Sequence, residues 1–294
     1  MVASKFLNPR NDLCFKRIFG SEKNKDILIH FLNDIIDRPA LIKEVTFLKT
    51  SQDPEIAPLR VSVVDVMCED QDKNCFIIEM QLSHEKGFDR RALYYAARAY
   101  CSQRTKKKKF YDLKDVYFLA ITDFAPFPKK KTWLSRIGLK DLETNEHDIN
   151  AIQLLFMQLP LFKKTKKDLK GMSLREKWAY FFKYAEETTE EDLEKIIGED
   201  QILKRAYEEL DRFGWSEKEL NNYESIEMKK AADEAVKEAA FEKGIEKGIE
   251  KGIEKGRKEE KYAITQALLK QGLSIEQIAE ATSLSVKEIT SLKK

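Results

Sequence analysis

Residues 75–82 read CFIIEMQL, an apolar run interrupted at alternate positions by Glu79 and Gln81. The run has the look of a buried β-strand. A carboxylate taken out of water without a partner is costly. The run therefore constrains the chain twice: it belongs inside a sheet, and that sheet must offer Glu79 something to bind.

The preceding apolar run, LRVSVVDVM (59–67), is joined to it by the polar stretch EDQDKN, so the two read as a β-hairpin. Side chains alternate along a strand. Ile77, Glu79 and Gln81 then share one face, and Phe76, Ile78 and Met80 the other. In the earlier strand Val63, Asp65 and Met67 share a face. A turn centred on Asp72 is equidistant from residues 65 and 79, which sets Asp65 opposite Glu79 with Cβ atoms roughly 4.5–5.5 Å apart. Two carboxylates that close repel unless one is protonated or a cation sits between them. A hard divalent cation with oxygen ligands fits, Mg²⁺ first, with Mn²⁺ or Ca²⁺ as alternatives. The Met80 carbonyl offers a further ligand, and Gln81 faces the same site, where it can position a water or a phosphate oxygen. The competing reading is a carboxylate pair on an exposed sheet face or edge.

The rest of the chain supplies the setting. Residues 10–20 predict a short helix with Phe15, Ile18 and Phe19 on one face, and KNKDILIHFLNDII a second one capped by Ser21. IKEVTFL (42–48), DVYFLAITDF (115–124) and AIQLLFMQLP (151–160) read as strands, residues 86–108 as a helix rich in Arg and Tyr, and the stretch holding Pro126 and Pro128 as a loop. This order indicates a mixed α/β domain over 1–170. Beyond it the chain turns helical, with capping-box patterns at Ser173/Glu176, Thr189/Asp192 and Ser216/Glu219. Residues 171–222 are expected as a helical extension, 223–262 as one long charged helix, and 263–294 as a small helix-turn-helix-like tail with boxes at Ser274/Gln277 and Ser285/Glu288. The tail's second helix has few of the basic or amide side chains that base reading needs, which favours packing or assembly.

Within 223–262 the unit EKGI repeats, placing Gly244, Gly248, Gly252 and Gly256 four residues apart. Each mid-helix glycine costs roughly 0.5–1 kcal/mol against alanine. Either the repeat is a tolerated expansion in a solvated helix, or close approach of a partner helix, as in a homodimer, compensates. Glu and Lys in every spacer exclude a membrane GxxxG pair.

Net charge is +2 overall, but residues 1–170 carry 31 Lys and Arg against 23 Asp and Glu, and residues 171–294 carry 22 against 28. A basic front and an acidic back suggest a polyanion-facing part with an appendage that does not touch it. The lysine runs at 106–109, 129–131 and 163–167 offer phosphate contacts. The four cysteines form no CxxC pair and the three histidines are scattered, so neither a zinc site nor a disulfide framework is expected. No apolar stretch is long enough for a span, nor is there a leader's apolar region, and a reduced, cytoplasmic protein is expected.

Further candidates on the first and third helices complete the reading. Asp12 lies at i, i+3 and i+7 with Phe15 and Phe19, so it either points inward or caps its helix. Arg91 and Tyr95, and Arg90 and Tyr94, are four apart on the next helix, where they either meet a phosphate and a sugar or base, or simply pack.

Taken together, NDLCFKRIFG, FLNDII, VVDV, IIEMQ, RRALYYAARAY and AIQLLFMQLPLF make the chain resemble the PD-(D/E)XK nuclease family transposases, also called recombination-promoting nucleases, over roughly residues 8–185. The resemblance implies a restriction-endonuclease-like core, a central mixed β-sheet flanked by helices, followed by an all-α C-terminal extension. It implies Asp65 and Glu79 as metal-binding acids, Gln81 at the position of the superfamily's lysine, and Asp12 as an accessory acid. Lys16, Arg90 or Arg91 would then supply the positive charge that glutamine lacks. The implied activity is metal-dependent DNA cleavage promoting recombination. The alternatives are a DNA-binding or regulatory protein on the same fold, or an assembly protein acting through its helical tail.

Overall fold

A computed structural model describes residues 4–52, 62–104 and 109–292. The chain divides into two compact units, Met1–Glu224 and Ser225–Lys294.

In the first unit, helices α1 (Asp12–Phe19) and α2 (Lys25–Ile36) precede β1 (Val45–Phe47), β2 (Ser51–Gln52), β3 (Ser62–Val63), β4 (Val66–Asp70) and β5 (Cys75–Gln81). Helix α3 (Phe88–Ser102) leads to β6 (Val116–Thr122), β7 (Leu134–Gly138) and β8 (Ile152–Gln158). Helices α4 (Leu174–Tyr184), α5 (Glu190–Ile197) and α6 (Gln201–Glu208) follow. Six strands form one mixed sheet in the order β1-β4-β5-β6-β8-β7, while β2 and β3 pair separately. β5, β6 and β8 run parallel, and the other pairs in the sheet are antiparallel.

Alternation along the strands divides the interior into two cores. Phe76, Ile78, Leu119, Ile121, Leu155 and Met157 face a large core filled by Phe15 and Phe19 of α1, Phe31 of α2, and Trp178 and Phe182 of α4. Ile77, Phe118, Ala120 and Phe156 face a smaller core against Ala92, Ala96 and Ala99 of α3. Those alanines let α3 lie close over the very face that carries Glu79 and Gln81. Residues 171–222 also add to the large core through Trp178, Phe182, Leu203 and Tyr207.

The hairpin forms in the expected register: Val66 pairs with Ile78 and Met67 with Ile77, which carried one step further sets residue 65 against residue 79. Its earlier strand is not continuous, however. It breaks between β3 and β4, and Asp65 sits in the bend, with Val64 and Met67 both facing the smaller core. Residues 59–61 of that expected strand lie outside the described residues, as do three of the four lysines at 106–109. Two other expectations are corrected. Of the helix expected over 86–108, the described residues form Phe88–Ser102, with 105–108 outside them, and the expected loop after Pro128 contains β7, an edge strand in which Arg136 and Gly138 mask the alternation.

In the second unit, most of α7 (Glu217–Lys270) is followed by α8 (Ile275–Thr282) and α9 (Val286–Leu292); Ile278 of α8, Ile289 of α9 and Leu284 between them form a small core with Leu268 and Leu273. Ser274 caps α8 through a reciprocal box with Gln277. Among the described residues, a Cβ added at Gly244, Gly248, Gly252 or Gly256 would meet no heavy atom within 4 Å. No helix among the described residues is long and apolar enough to cross a membrane.

Candidate active site

At the open end of the hairpin Asp65 and Glu79 clasp each other through the main chain. Asp65 Oδ2 accepts from the Met80 N–H at 2.7 Å, and the Asp65 N–H in turn donates to the Glu79 carboxylate. The bend makes this possible. With β4 not yet begun, the Asp65 carboxylate takes the place of a ladder acceptor for Met80 instead of standing perpendicular to the sheet.

Glu79 is only 8% exposed. Its lateral neighbour on β6 is Ala120, and beyond that on β8 lies Phe156, so the sheet offers it nothing polar. Glu79 Oε2 is buried with no hydrogen-bond partner. Burial first, and then the Asp65 charge, push the Glu79 carboxyl up to about 8, against the weaker pull of Arg91, the Asp65 amide and Lys16. Asp65 is also raised, chiefly by burial and further by the Asp12 charge, while the Met80 amide, Lys16 and Arg91 oppose the rise.

Most sequence candidates converge on this pair. Gln81 accepts from Arg91 Nη2 at 2.6 Å, and Arg91 from α3 acts electrostatically on both acids. Lys16 of α1 acts on both as well and pairs with Asp12 at 2.8 Å. Asp12 corrects both expectations for it: Asn11 is the cap, accepting from the Leu13 amide, and the Asp12 side chain is 51% exposed, not inward. Arg90 is exposed and takes part in none of these hydrogen bonds or ion pairs. Tyr95 packs against the smaller core. Glu85, in the loop after β5, was not legible from the sequence and joins the site by pairing with Arg91. Its six-residue spacing from Arg91 crosses a helix start, where periodicity gives no signal.

The donor set suits a hard divalent cation: two adjacent carboxylates, one of whose oxygens has no protein partner, in surroundings that disfavour leaving both charged. Among the described residues no group of three His, Cys, Asp or Glu gathers into a metal cage, so such a cation would draw its remaining ligands from main-chain oxygens or water. A cavity of about 400 Å³ elsewhere, beside α1, is lined by Arg17, Glu209, Trp215 and Glu219, but there Arg17 is already paired with both glutamates.

The family model of the PD-(D/E)XK nuclease family transposases matches residues 9–240. No curated protein and no solved structure matches the chain. The matched span runs from before α1, through the carboxylate pair and all six strands of the main sheet, and into α7. By that match, joined to a mixed sheet flanked by helices, this chain belongs to the PD-(D/E)XK nuclease family transposases.

Proposed function

We propose that the chain is a divalent-cation-dependent DNA endonuclease that hydrolyses phosphodiester bonds and so promotes recombination. The observation that carries this reading is the buried, unpartnered Glu79 oxygen beside Asp65. Asp65 and Glu79 would hold the cation, with the Met80 carbonyl as a further ligand. A bound divalent cation, Mg²⁺ above all, supplies Lewis-acid polarisation and offsets charge building on the phosphate.

The remaining work falls to the chain's own groups. The main-chain clasp between residues 65, 79 and 80 fixes both acids before substrate arrives, so little reorganisation is needed. Gln81, at the superfamily's lysine position, neither carries charge nor takes a proton; its amide orients a water or a phosphate oxygen. Lys16 and Arg91 supply the positive charge from α1 and α3. The basic residues of 1–170 meet the DNA backbone, and the helical tail joins two copies, which suits paired strand breaks.

A second reading is a DNA-binding or regulatory protein that keeps the fold but cleaves poorly; intact Asp65 and Glu79 argue against it, and Gln81 alone does not argue for it, since glutamine at that position is also a trait of the family. Supercoiled plasmid incubated with Mg²⁺, Mn²⁺, Ca²⁺ or EDTA separates the two. Cation-dependent nicking that Asp65→Ala and Glu79→Ala each abolish is the expected result. Binding without cleavage in every cation would overturn the nuclease reading in favour of the second.

A further inference from the structure

Between β5 and α3, three polar side chains hold one another. Arg91 Nη2 donates to Gln81 Oε1 at 2.6 Å, and Arg91 Nη1 donates to Glu85 Oε2 in an ion pair. Gln81 Nε2 donates to the Ser83 carbonyl at 2.9 Å and reaches Glu85 Oε1 at 3.4 Å. The Arg91 guanidinium also lies 5.1 Å from the centre of the Phe88 ring. One side of the cation is thus fixed to the sheet and to its own helix, and its Nε is buried with no partner. The other side is closed by Glu85, whose side chain is 55% exposed. Glu85 sits in a short loop that enters α3 through Gly87, whose φ of +83° is the left-handed conformation glycine adopts without strain.

Carboxylate and phosphate oxygens both accept charge-assisted hydrogen bonds from a guanidinium, and here Glu85 Oε2 takes Nη1. An exposed ion pair of this kind contributes little to stability, so exchanging its anion is easy. We propose that Glu85 is an internal stand-in for a DNA phosphate: in free protein it occupies Arg91, and a backbone phosphate of bound DNA displaces it, leaving Arg91, positioned by Gln81, as the cation that holds the strand beside Asp65 and Glu79. This rests on the nuclease reading for the identity of the anion. It also explains why Gln81 is tolerated: its carbonyl oxygen receives an arginine, which a lysine at that position would repel.

The test is fluorescence anisotropy of a labelled DNA duplex with the full-length chain in Ca²⁺, at several salt concentrations. Glu85→Gln, Arg91→Ala, Arg91→Lys, the double variant Glu85→Gln/Arg91→Ala and Asp89→Asn are compared. Asp89→Asn removes an equal charge from the exposed first turn of the same helix. Glu85→Gln is expected to tighten binding by up to about fivefold, beyond any effect of Asp89→Asn. Arg91→Ala is expected to weaken binding and reduce the salt slope by about one, with partial recovery in Arg91→Lys. In the double variant the gain from Glu85→Gln disappears. Equal effects of Glu85→Gln and Asp89→Asn, or a gain that persists without Arg91, would overturn the proposal. Plasmid cleavage in Mg²⁺, run in parallel, separates the two ideas. Absence of cleavage with the coupling intact removes the nuclease and keeps the displacement, while cleavage without coupling does the reverse.

Discussion

The two ends of one hairpin each bury a carboxylate, and they treat it in opposite ways. At the turn, Asp70 is 3% exposed, yet it is fully answered: it accepts from the Asp72 and Asn74 amides at 2.9 Å, from the Asn74 side chain, and from Arg38 in an ion pair. The Arg38 guanidinium also lies beside the stacked Phe76 and Tyr117 rings, 5.4 and 5.7 Å from their centres. At the open end Glu79 is nearly as buried, but it has a second acid for a neighbour and an oxygen with nothing to bind. Burial alone does not mark a site. What separates these two acids is the deficit of partners: Asp70 is complete within the protein, and Glu79 keeps one buried oxygen without a partner.

The largest effect expected from this contrast is on cleavage. Glu79→Ala and Asp65→Ala should each lower the rate of plasmid nicking by about a thousandfold or more, because each removes a group on which the charge offset depends. Asp70→Asn should leave the rate close to wild type at temperatures where the variant is folded. Equal losses in all three would erase the distinction between a structural and a functional acid.

The reverse ranking is expected for stability. Asp70→Ala leaves Arg38 buried without its anion, and breaking such a pair costs about 3–5 kcal/mol. Urea denaturation should show that loss for Asp70→Ala and none of similar size for Glu79→Gln. A stable Asp70→Ala variant would mean that the turn tolerates a free Arg38, and the contrast would rest on Glu79 alone.

How much of this was visible in the sequence depends on what each feature rests on. The hairpin register follows from the position of a polar turn between two apolar runs, and it holds. The capping boxes at Ser173 and Ser216 rest on local three-residue contacts, and they hold too. The bend at Asp65 was hidden because VSVVDVM is apolar in both parities, so a slip from one face to the other leaves no trace in the pattern. Asp12 misled for a related reason: its i, i+3, i+7 relation to Phe15 and Phe19 is that of an inward face, but in the first turn the side chain lies at the rim, where it meets Lys16. Glu85 was illegible because loop geometry, not periodicity, brings it to Arg91.

A cation should sharpen the comparison further. Mg²⁺ or Mn²⁺ at about a hundred times its Kd should raise unfolding stability by about 2.7 kcal/mol at pH 8, by selective binding to the folded form. The gain should be absent in Glu79→Gln and preserved in Asp70→Asn. It should also shrink toward pH 6, where the proton on Glu79 competes with the cation. A gain preserved in Glu79→Gln would place the cation elsewhere.

The smallest effect is in the protein without cation, and its sign is fixed by linkage. The Glu79 carboxyl is raised from 4.5 to about 8, so between those values the folded chain carries a proton that the unfolded chain has lost. Stability therefore falls as pH rises through this window: the favourable contribution is whole below about pH 4.5 and gone above about pH 8. Asp65, raised by the same burial, adds to the slope in the same direction. Glu79→Gln keeps the shape and removes the titration. In EDTA it should match wild type at pH 5 and exceed it by about 2 kcal/mol at pH 9, with water and a relaxed loop screening part of the burial penalty. Asp70→Asn should show no such gain at any pH, because it removes an acceptor that its partners already satisfy. If Glu79→Gln instead loses stability at pH 9, then Lys16 and Arg91 already complete Glu79 within the protein, and the two ends of the hairpin are alike after all.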